Sequence, residues 1–498
     1  MKSNTASVQN TVTTGLVIVV VMIVVGAYLI NLDGWLMHDD EGTDFYEAYR
    51  LAQGDRPGTD FMAEQQPLYL ITGGALVKTF GLSALPLRSL AATQVLLGIF
   101  FLSYASDRVF GRRAGLLTLL LVATSGMVYS LARLYRPDPM MLSWIMIGLG
   151  AALLASAGFD RRWWLASGLA FGVAFLWKPF AVFPVFGLGL YFASEWFRSA
   201  GHRRDAVIDA LRFGLPLGFI SILLNGVLHL GLDLYYLENL RQHAALGRDL
   251  NLLLNFLRPP VAYVEFFLAH PAFLFVIPLW WLNRPADWRQ RPEVRLLLWQ
   301  MVAPILFVAL TRPFYPRYMI FLAPVFAVLL AWQLDLMFRK LSQSPKGELA
   351  AVVMSGLIVL FALVLTSPRI TDLLLRRESG TKALAAYVAE HSGPDEVILS
   401  DYAGINFFAD RRSIYEASII AAGRIQGGFV TGELLIERME EDDVKLVLVH
   451  VKGGDPIPHQ FVRLSDYDDF RAYLGANFEL LTLFDRNGQQ IEVYSRSS

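Results

Sequence analysis

The 498-residue sequence contains no cysteine, so neither a disulfide framework nor thiolate chemistry is open to it, although that absence does not by itself fix a compartment. Charge is scarce as well. Asp, Glu, Lys and Arg make up 17% of the residues, against about 25% in a soluble protein. The 43 basic and 44 acidic residues nearly cancel, which excludes the strongly basic surface of a nucleic-acid binder. No internal repeat recurs along the chain, and no glycine-rich phosphate loop follows a strand, Gly423–Gly428 having the wrong spacing and context. What is abundant is apolar: 55% of residues are hydrophobic and the mean hydropathy is +0.44, the composition of a polytopic membrane protein.

The charge is unevenly placed. Residues 367–498 hold 14 basic and 21 acidic residues, leaving 29 and 23 to residues 1–366, so the chain divides into a membrane part (1–366) and a soluble part (367–498). A bilayer takes roughly 17–25 apolar residues per helix. Segments of this kind lie near 14–30, 86–106, 115–132, 139–158, 163–178, 179–196, 208–231, 261–282, 296–311, 317–334 and 349–366, which gives eleven crossings. The first run, Thr14 to Ile30, lacks a small-residue cleavage site and is expected to stay as a helix. Basic residues cluster in every second loop, at Arg108/Arg112/Arg113, Arg161/Arg162, Arg198/Arg203/Arg204, Arg284/Arg289/Arg291/Arg295 and Arg339/Lys340/Lys346, which by the positive-inside rule predicts a cytoplasmic amino terminus. The run Leu68–Leu82 would break that pattern if it crossed, and is expected to lie on the outer interface instead.

This count leaves two long outer segments, 31–85 and 232–260, and puts the whole tail outside. The expected fold is mainly α, a polytopic bundle of about eleven transmembrane helices with a C-terminal soluble α/β domain. In the tail the periodicity predicts helices over Thr381–Glu390, Gly432–Met439 and Asp466–Leu474. Strands are expected over Val397–Ser400, Lys445–Val451, Leu480–Phe484 and Ile491–Tyr494, the last two around an Asn487-Gly488 turn.

The outer face carries the residues with chemical potential. Asp39, Asp40 and Glu41 directly follow the first helix, and Asp138 opens the fourth within Arg136-Pro137-Asp138-Pro139. A solvated acidic loop and an N-cap are the plain alternatives for these acids. Arg136, Lys178, Arg241, Arg312 and Arg317 lie on the same face, where cations are normally depleted. Snorkelling explains any one of them; five together point to an anionic ligand, with a lipid phosphate arriving in the membrane plane the natural choice. Acids and cations on one surface suit a reaction in which a carboxylate takes a proton from a hydroxyl while cations hold a phosphate leaving group.

The stretch Asp40-Glu41-Gly42, followed by a helical run, Gly54-Asp55 and Glu64-Gln65-Gln66-Pro67-Leu68-Tyr69, resembles the first outer loop of the C-superfamily of integral membrane glycosyltransferases. Within it, the stretch is similar to the branch of protein O-mannosyltransferases, lipid A aminoarabinose transferases and rhizobial lipopolysaccharide transferases. Arg136-Pro137-Asp138-Pro139, Trp177-Lys178-Pro179, the Glu238 to His243 segment and Arg317-Tyr318 before Pro324 match further family positions in order, so the resemblance covers about residues 14–366. It implies Asp40 as general base with Glu41 beside it, and Asp138 orienting donor or acceptor. Lys178, Arg317, Tyr318 and Arg136 would hold the donor phosphate, and Asp39, Glu64, Glu238 and Arg241 would line the acceptor side or cavity. Where the family often has Lys or a second Pro, this chain reads Glu64-Gln65-Gln66-Pro67, which removes one expected phosphate-binding cation.

The implied reaction is transfer of a sugar from a polyprenyl-phosphate donor to an acceptor hydroxyl on a lipid, glycan or protein, at the outer face of a plasma membrane and with inversion. No cofactor is required by this reading, and a divalent cation on the Asp39-Asp40-Glu41 oxygens is left open. The alternative of a different class is a transporter or lipid-linked-sugar flippase with an outer solute-binding domain. A transporter favours internal repeats, paired broken helices and ionisable residues deep within its spans, whereas the acids here flank the spans.

Overall fold

A computed structural model describes residues 18–33, 39–198, 201, 203–232, 252–310 and 316–343, positions 349–350, 353–354, 356–358, 360–361, 364, 371 and 375, and then 380–452, 460–486 and 489–497. The first helix, α1 (Ile18–Leu29), is apolar, and its chain end turns at Asn31 in the left-handed region. Its orphaned carbonyls are collected by a buried arginine: Arg133 donates to the carbonyls of Ala27, Tyr28, Ile30 and Asn31 at 2.7–3.2 Å. A cation at a helix C-terminus also complements the macrodipole.

The first outer loop then forms two helices, α2 (Asp39–Ala52) and α3 (Pro67–Phe80). Acids in the first turn and Arg50 in the last suit the dipole of α2, and Gly54, at φ +90°, turns the chain out of it. Pro67 at the first helical position opens α3, and Gly81, at φ +76°, closes it. The expected interfacial run Leu68–Leu82 is therefore a separate short helix.

The bundle continues with α4 (Ala84–Phe110), α5 (Arg112–Ala123), α6 (Gly126–Ala132), α7 (Pro137–Ser156), α8 (Trp163–Trp177), α9 (Val182–Arg198), α10 (Arg203–Gly218) and α11 (Asn225–Leu232). It is completed by α12 (Leu252–Ala269), α13 (Val276–Asn283), α14 (Pro292–Leu310) and α15 (Leu322–Leu341). The sequence reading needs correction at two spans. The expected crossings 115–132 and 261–282 are not continuous: the first bends by 65° between α5 and α6, the second by 110° at His270-Pro271. Pro271 cannot donate back to the preceding turn, and its ring excludes His270 from helical backbone. Among the described residues five helices are long and apolar enough to cross a membrane, the two bent pairs add two more, and α1 and α8 are shorter apolar helices. The expected crossing at 349–366 is described only at scattered positions.

The tail forms a four-stranded sheet in the order β1-β2-β4-β3, from β1 (Ile398–Ser400), β2 (Leu446–Lys452), β3 (Phe478–Arg486) and β4 (Gln489–Arg496). β1 runs parallel to β2, and the other pairs are antiparallel. All four strands lie where the alternation predicts them; the Asn487-Gly488 turn is outside the described residues. Strand alternation divides β2 between two cores. Val447 and Val449 pack with Leu435, Met439, Phe470 and Leu474 of the helices α19 (Gly432–Glu441) and α20 (Tyr467–Asn477), whereas Leu446 and Leu448 belong to the core that continues into the bundle. The helices on that second face, α16 (Thr381–Glu390) and α17 (Ala403–Ala409), precede α18 (Ala422–Gln426) in the chain. Sequence periodicity does not predict α17, because seven residues are too few to show it.

α17 lies on α2. Phe45 meets Phe407 at a ring separation of 5.2 Å, and the Cα of Gly42 is 3.0 Å from where a Cβ on Gly404 would sit. Both glycines make room for Tyr402, whose ring atoms would lie within 3 Å of any added Cβ. Lys382–Asp33 at 2.9 Å, Arg412–Asp55 at 3.1 Å and the Ser413 amide donating to the Tyr46 hydroxyl at 2.7 Å tie the tail to the first loop.

Candidate active site

Two helix starts and one junction converge beside α2. Arg136, in extended backbone, precedes Pro137 at the first position of α7, which sets Asp138 in that helix's first turn, where a carboxylate faces the positive end of the dipole. Pro179 forces Lys178 into extended backbone (φ −158°, ψ 128°) between α8 and the 3₁₀ turn Pro179–Ala181. Tyr318 comes from the 3₁₀ turn Pro316–Phe321 before α15.

The side chains form a row of alternating charge. Asp40 accepts a hydrogen bond from the Arg136 guanidinium, whose Nε stands 3.9 Å from Asp138. Asp138 in turn receives Lys178 Nζ on both oxygens, at 2.8 and 2.9 Å. The Lys178 ammonium lies 5.1 Å from the Phe180 ring and 5.2 Å from the Tyr318 ring. Those rings meet edge to face at 4.7 Å, an aromatic corner that favours a cation. Asp138 is buried; the Asp40 side chain, at 37% exposure, is open to a substrate.

Glu41 is turned away from this row. Its carboxylate accepts from Arg88 Nε at 2.9 Å, from Arg88 Nη2 at 2.7 Å and from the Tyr135 amide at 2.8 Å, with both charged side chains fully buried. Arg88 also donates to the Leu32 carbonyl at 2.6 Å, so this ion pair fixes the chain between α1 and α2. Glu64 is half-buried, and its amide donates to Glu47 at 2.9 Å. The side chains of Asp39 and Arg317, together with Glu238, Arg241 and Arg312, lie outside the described residues.

Two further acids share the Asp40 face of α2, at helical spacings of four and seven: Asp44 and Glu47. Both are buried, and burial holds both carboxyls well above the usual range; Arg136 opposes the shift at Asp44, while neighbouring acids reinforce it. Their spacing was legible, and so was Arg88, an arginine inside an outer span end where an unpaired charge is costly. Among the described residues no three His, Asp or Glu side chains converge as a metal site requires; the Arg136 guanidinium stands between Asp40 and Asp138.

Residues 66–211 match the family described as dolichyl-phosphate-mannose-protein mannosyltransferase. No curated protein matches the sequence significantly. Among solved structures, ArnT from Cupriavidus metallidurans bound to undecaprenyl phosphate is similar over 96% of this chain and 98% of its own, with a TM-score of 0.63 and 16% identity. The oligosaccharyltransferase AglB from Archaeoglobus fulgidus, in complex with an inhibitory peptide and a dolichol-phosphate, matches 87% of this chain and 69% of its own, at a TM-score of 0.59 and 15% identity. The family match is confined to residues 66–211, and across the rest of the chain the likeness to these two structures is one of fold.

Proposed function

We infer that the protein moves a sugar from a polyprenyl-phosphate donor to an acceptor hydroxyl at the extracytoplasmic face. The observation that carries this reading is the Asp40, Arg136, Asp138, Lys178 row, with an exposed carboxylate at one end and a cation framed by aromatic rings at the other. Asp40 takes the proton of the acceptor hydroxyl, whose oxygen attacks the anomeric carbon. The bond from that carbon to the phosphate oxygen breaks, and its electron pair leaves with the phosphate, where Lys178 and Tyr318 stabilise the charge. In-line attack inverts the anomeric centre. Asp138 holds Lys178 at the phosphate position, and Arg317 and Arg136 are further cations for it. Asp39, Glu64, Glu238 and Arg241 are assigned to the acceptor side.

The loops bearing arginine clusters follow the ends of α4, α7, α9 and α15 remote from Asp40, which supports an extracytoplasmic site with a cytoplasmic amino terminus. The tail, packed on α2, covers the acceptor side and helps select the acceptor. The test is turnover of a panel of polyprenyl-phosphate sugars by the purified protein and by Asp40→Asn. Loss of roughly 100-fold or more is expected for removal of a general base; equal turnover by the variant refutes it.

A transport reading gains one observation, the two broken spans, whose breaks meet where Ser125 Oγ lies 3.1 Å from His270 Nδ1. Release of free polyprenyl phosphate accompanies transfer and not transport, so that product separates the two.

A further inference from the structure

One buried acid has no part in the reaction as written, although it lies beside its key cation. Asp44 is 1% exposed, and among the described residues neither of its carboxyl oxygens meets a hydrogen-bond donor. Arg136 Nε, also buried, has no hydrogen-bond acceptor among them either. The two groups stand 4.0 Å apart, roughly 1 Å beyond hydrogen-bonding distance. Each carries a desolvation penalty that a single bond between them would remove.

We propose that Asp44 is a positioning residue, the second seat of the Arg136 guanidinium, onto which it moves when it leaves Asp40 to the acceptor hydroxyl. This rests on the reading of Asp40 as base. A carboxylate that accepts from a guanidinium is a weakened base with one oxygen occupied, so Arg136 must withdraw before Asp40 takes a proton. A buried guanidinium cannot withdraw without another oxygen to receive it. Asp138 is engaged on both oxygens by Lys178. The Tyr69 and Tyr135 hydroxyls each donate to the other's carbonyl, at 3.0 and 3.1 Å, and so do not compete for Asp44. Glu47 receives the Glu64 amide on Oε1; its Oε2 is also without a partner, but among the described residues Glu47 makes no ion pair with Arg136, whereas Asp44 lies 4.0 Å from it. Asp44 is left, one helical turn from Asp40 on the same face, where a shift of roughly 1 Å makes the bond without moving the backbone.

Steady-state kinetics with a polyprenyl-phosphate sugar and its acceptor test this in wild type, Asp44→Ala, Asp44→Asn and Asp40→Asn. Asn keeps an acceptor oxygen and Ala has none. Asp44→Ala is expected to lower kcat by about tenfold, the loss of one hydrogen bond to a charged group, with both KM values unchanged; Asp44→Asn recovers most of that loss. Should Asp44→Ala fail to fold, Asp44→Val takes its place as an apolar residue closer in volume. Equal kcat for the Asn and apolar variants, or a loss confined to KM, overturns the proposal. Full activity of Asp40→Asn instead removes the base assignment, whatever the Asp44 variants do.

Discussion

Glu41 stands next to the proposed base, yet its surroundings make it scaffold, and Glu41→Gln separates the two roles. The wild-type carboxylate receives three buried hydrogen bonds, at 2.7, 2.8 and 2.9 Å, two of them from the Arg88 guanidinium. Gln preserves the shape but turns an NH₂ towards one guanidinium N–H and leaves Arg88 buried without a counter-charge. Breaking a buried pair from one side costs about 3–5 kcal/mol. Replacing both partners with groups of similar shape, as in Glu41→Gln with Arg88→Met, is expected to restore much of that loss. The assay is unfolding in detergent for wild type, both single variants and the double variant, closed as a thermodynamic cycle, together with turnover well below the unfolding midpoint. Unchanged stability of Glu41→Gln alongside a large fall in kcat would refute the reasoning and return Glu41 to the chemistry.

The tail should depend on the Gly42 and Gly404 contact: Gly404→Val drives a side chain against Tyr402 and Gly42, and limited proteolysis should then cut the tail faster while the bundle persists. Lys178→Met removes the cation from the Phe180 and Tyr318 corner and should raise donor KM about tenfold or more, as expected for one charge-assisted contact; unaltered KM contradicts the phosphate assignment. Asp44 and Glu47 have folded-state pKa values raised by burial, so the native state keeps protons that the unfolded chain releases. Their stabilisation is present below the unfolded carboxylate range and lost as pH rises towards the folded values. Thermal midpoints should therefore fall from mildly acidic towards alkaline pH, and Asp44→Asn should flatten that slope.

Much of the fold was legible because its signals are local. The Pro137, Lys178-Pro179 and Pro67 positions mark helix starts and junctions by fixed backbone chemistry, and strand alternation located all four strands of the tail. The breaks at Thr124-Ser125 and His270 were hidden because hydropathy continues across a bend; it records apolar surface and not axis direction. At the site, Asp40, Arg136, Asp138 and Lys178 were found from their residue types at helix ends and Tyr318 from the family resemblance, and the structure brings them together. Glu41 looks identical to Asp40 in sequence; only the helical rotation of one residue sends it to Arg88. The role of Arg133 as cap of α1 was not legible, because it depends on packing between distant segments.

The most direct measurement is a structure of the wild-type protein soaked with a polyprenyl phosphate. The account predicts phosphate oxygens about 3 Å from Lys178 Nζ, in the same cavity as the Asp40 carboxylate. Phosphate bound at the opposite end of the bundle, or in a cavity that Asp40 does not reach, would contradict it.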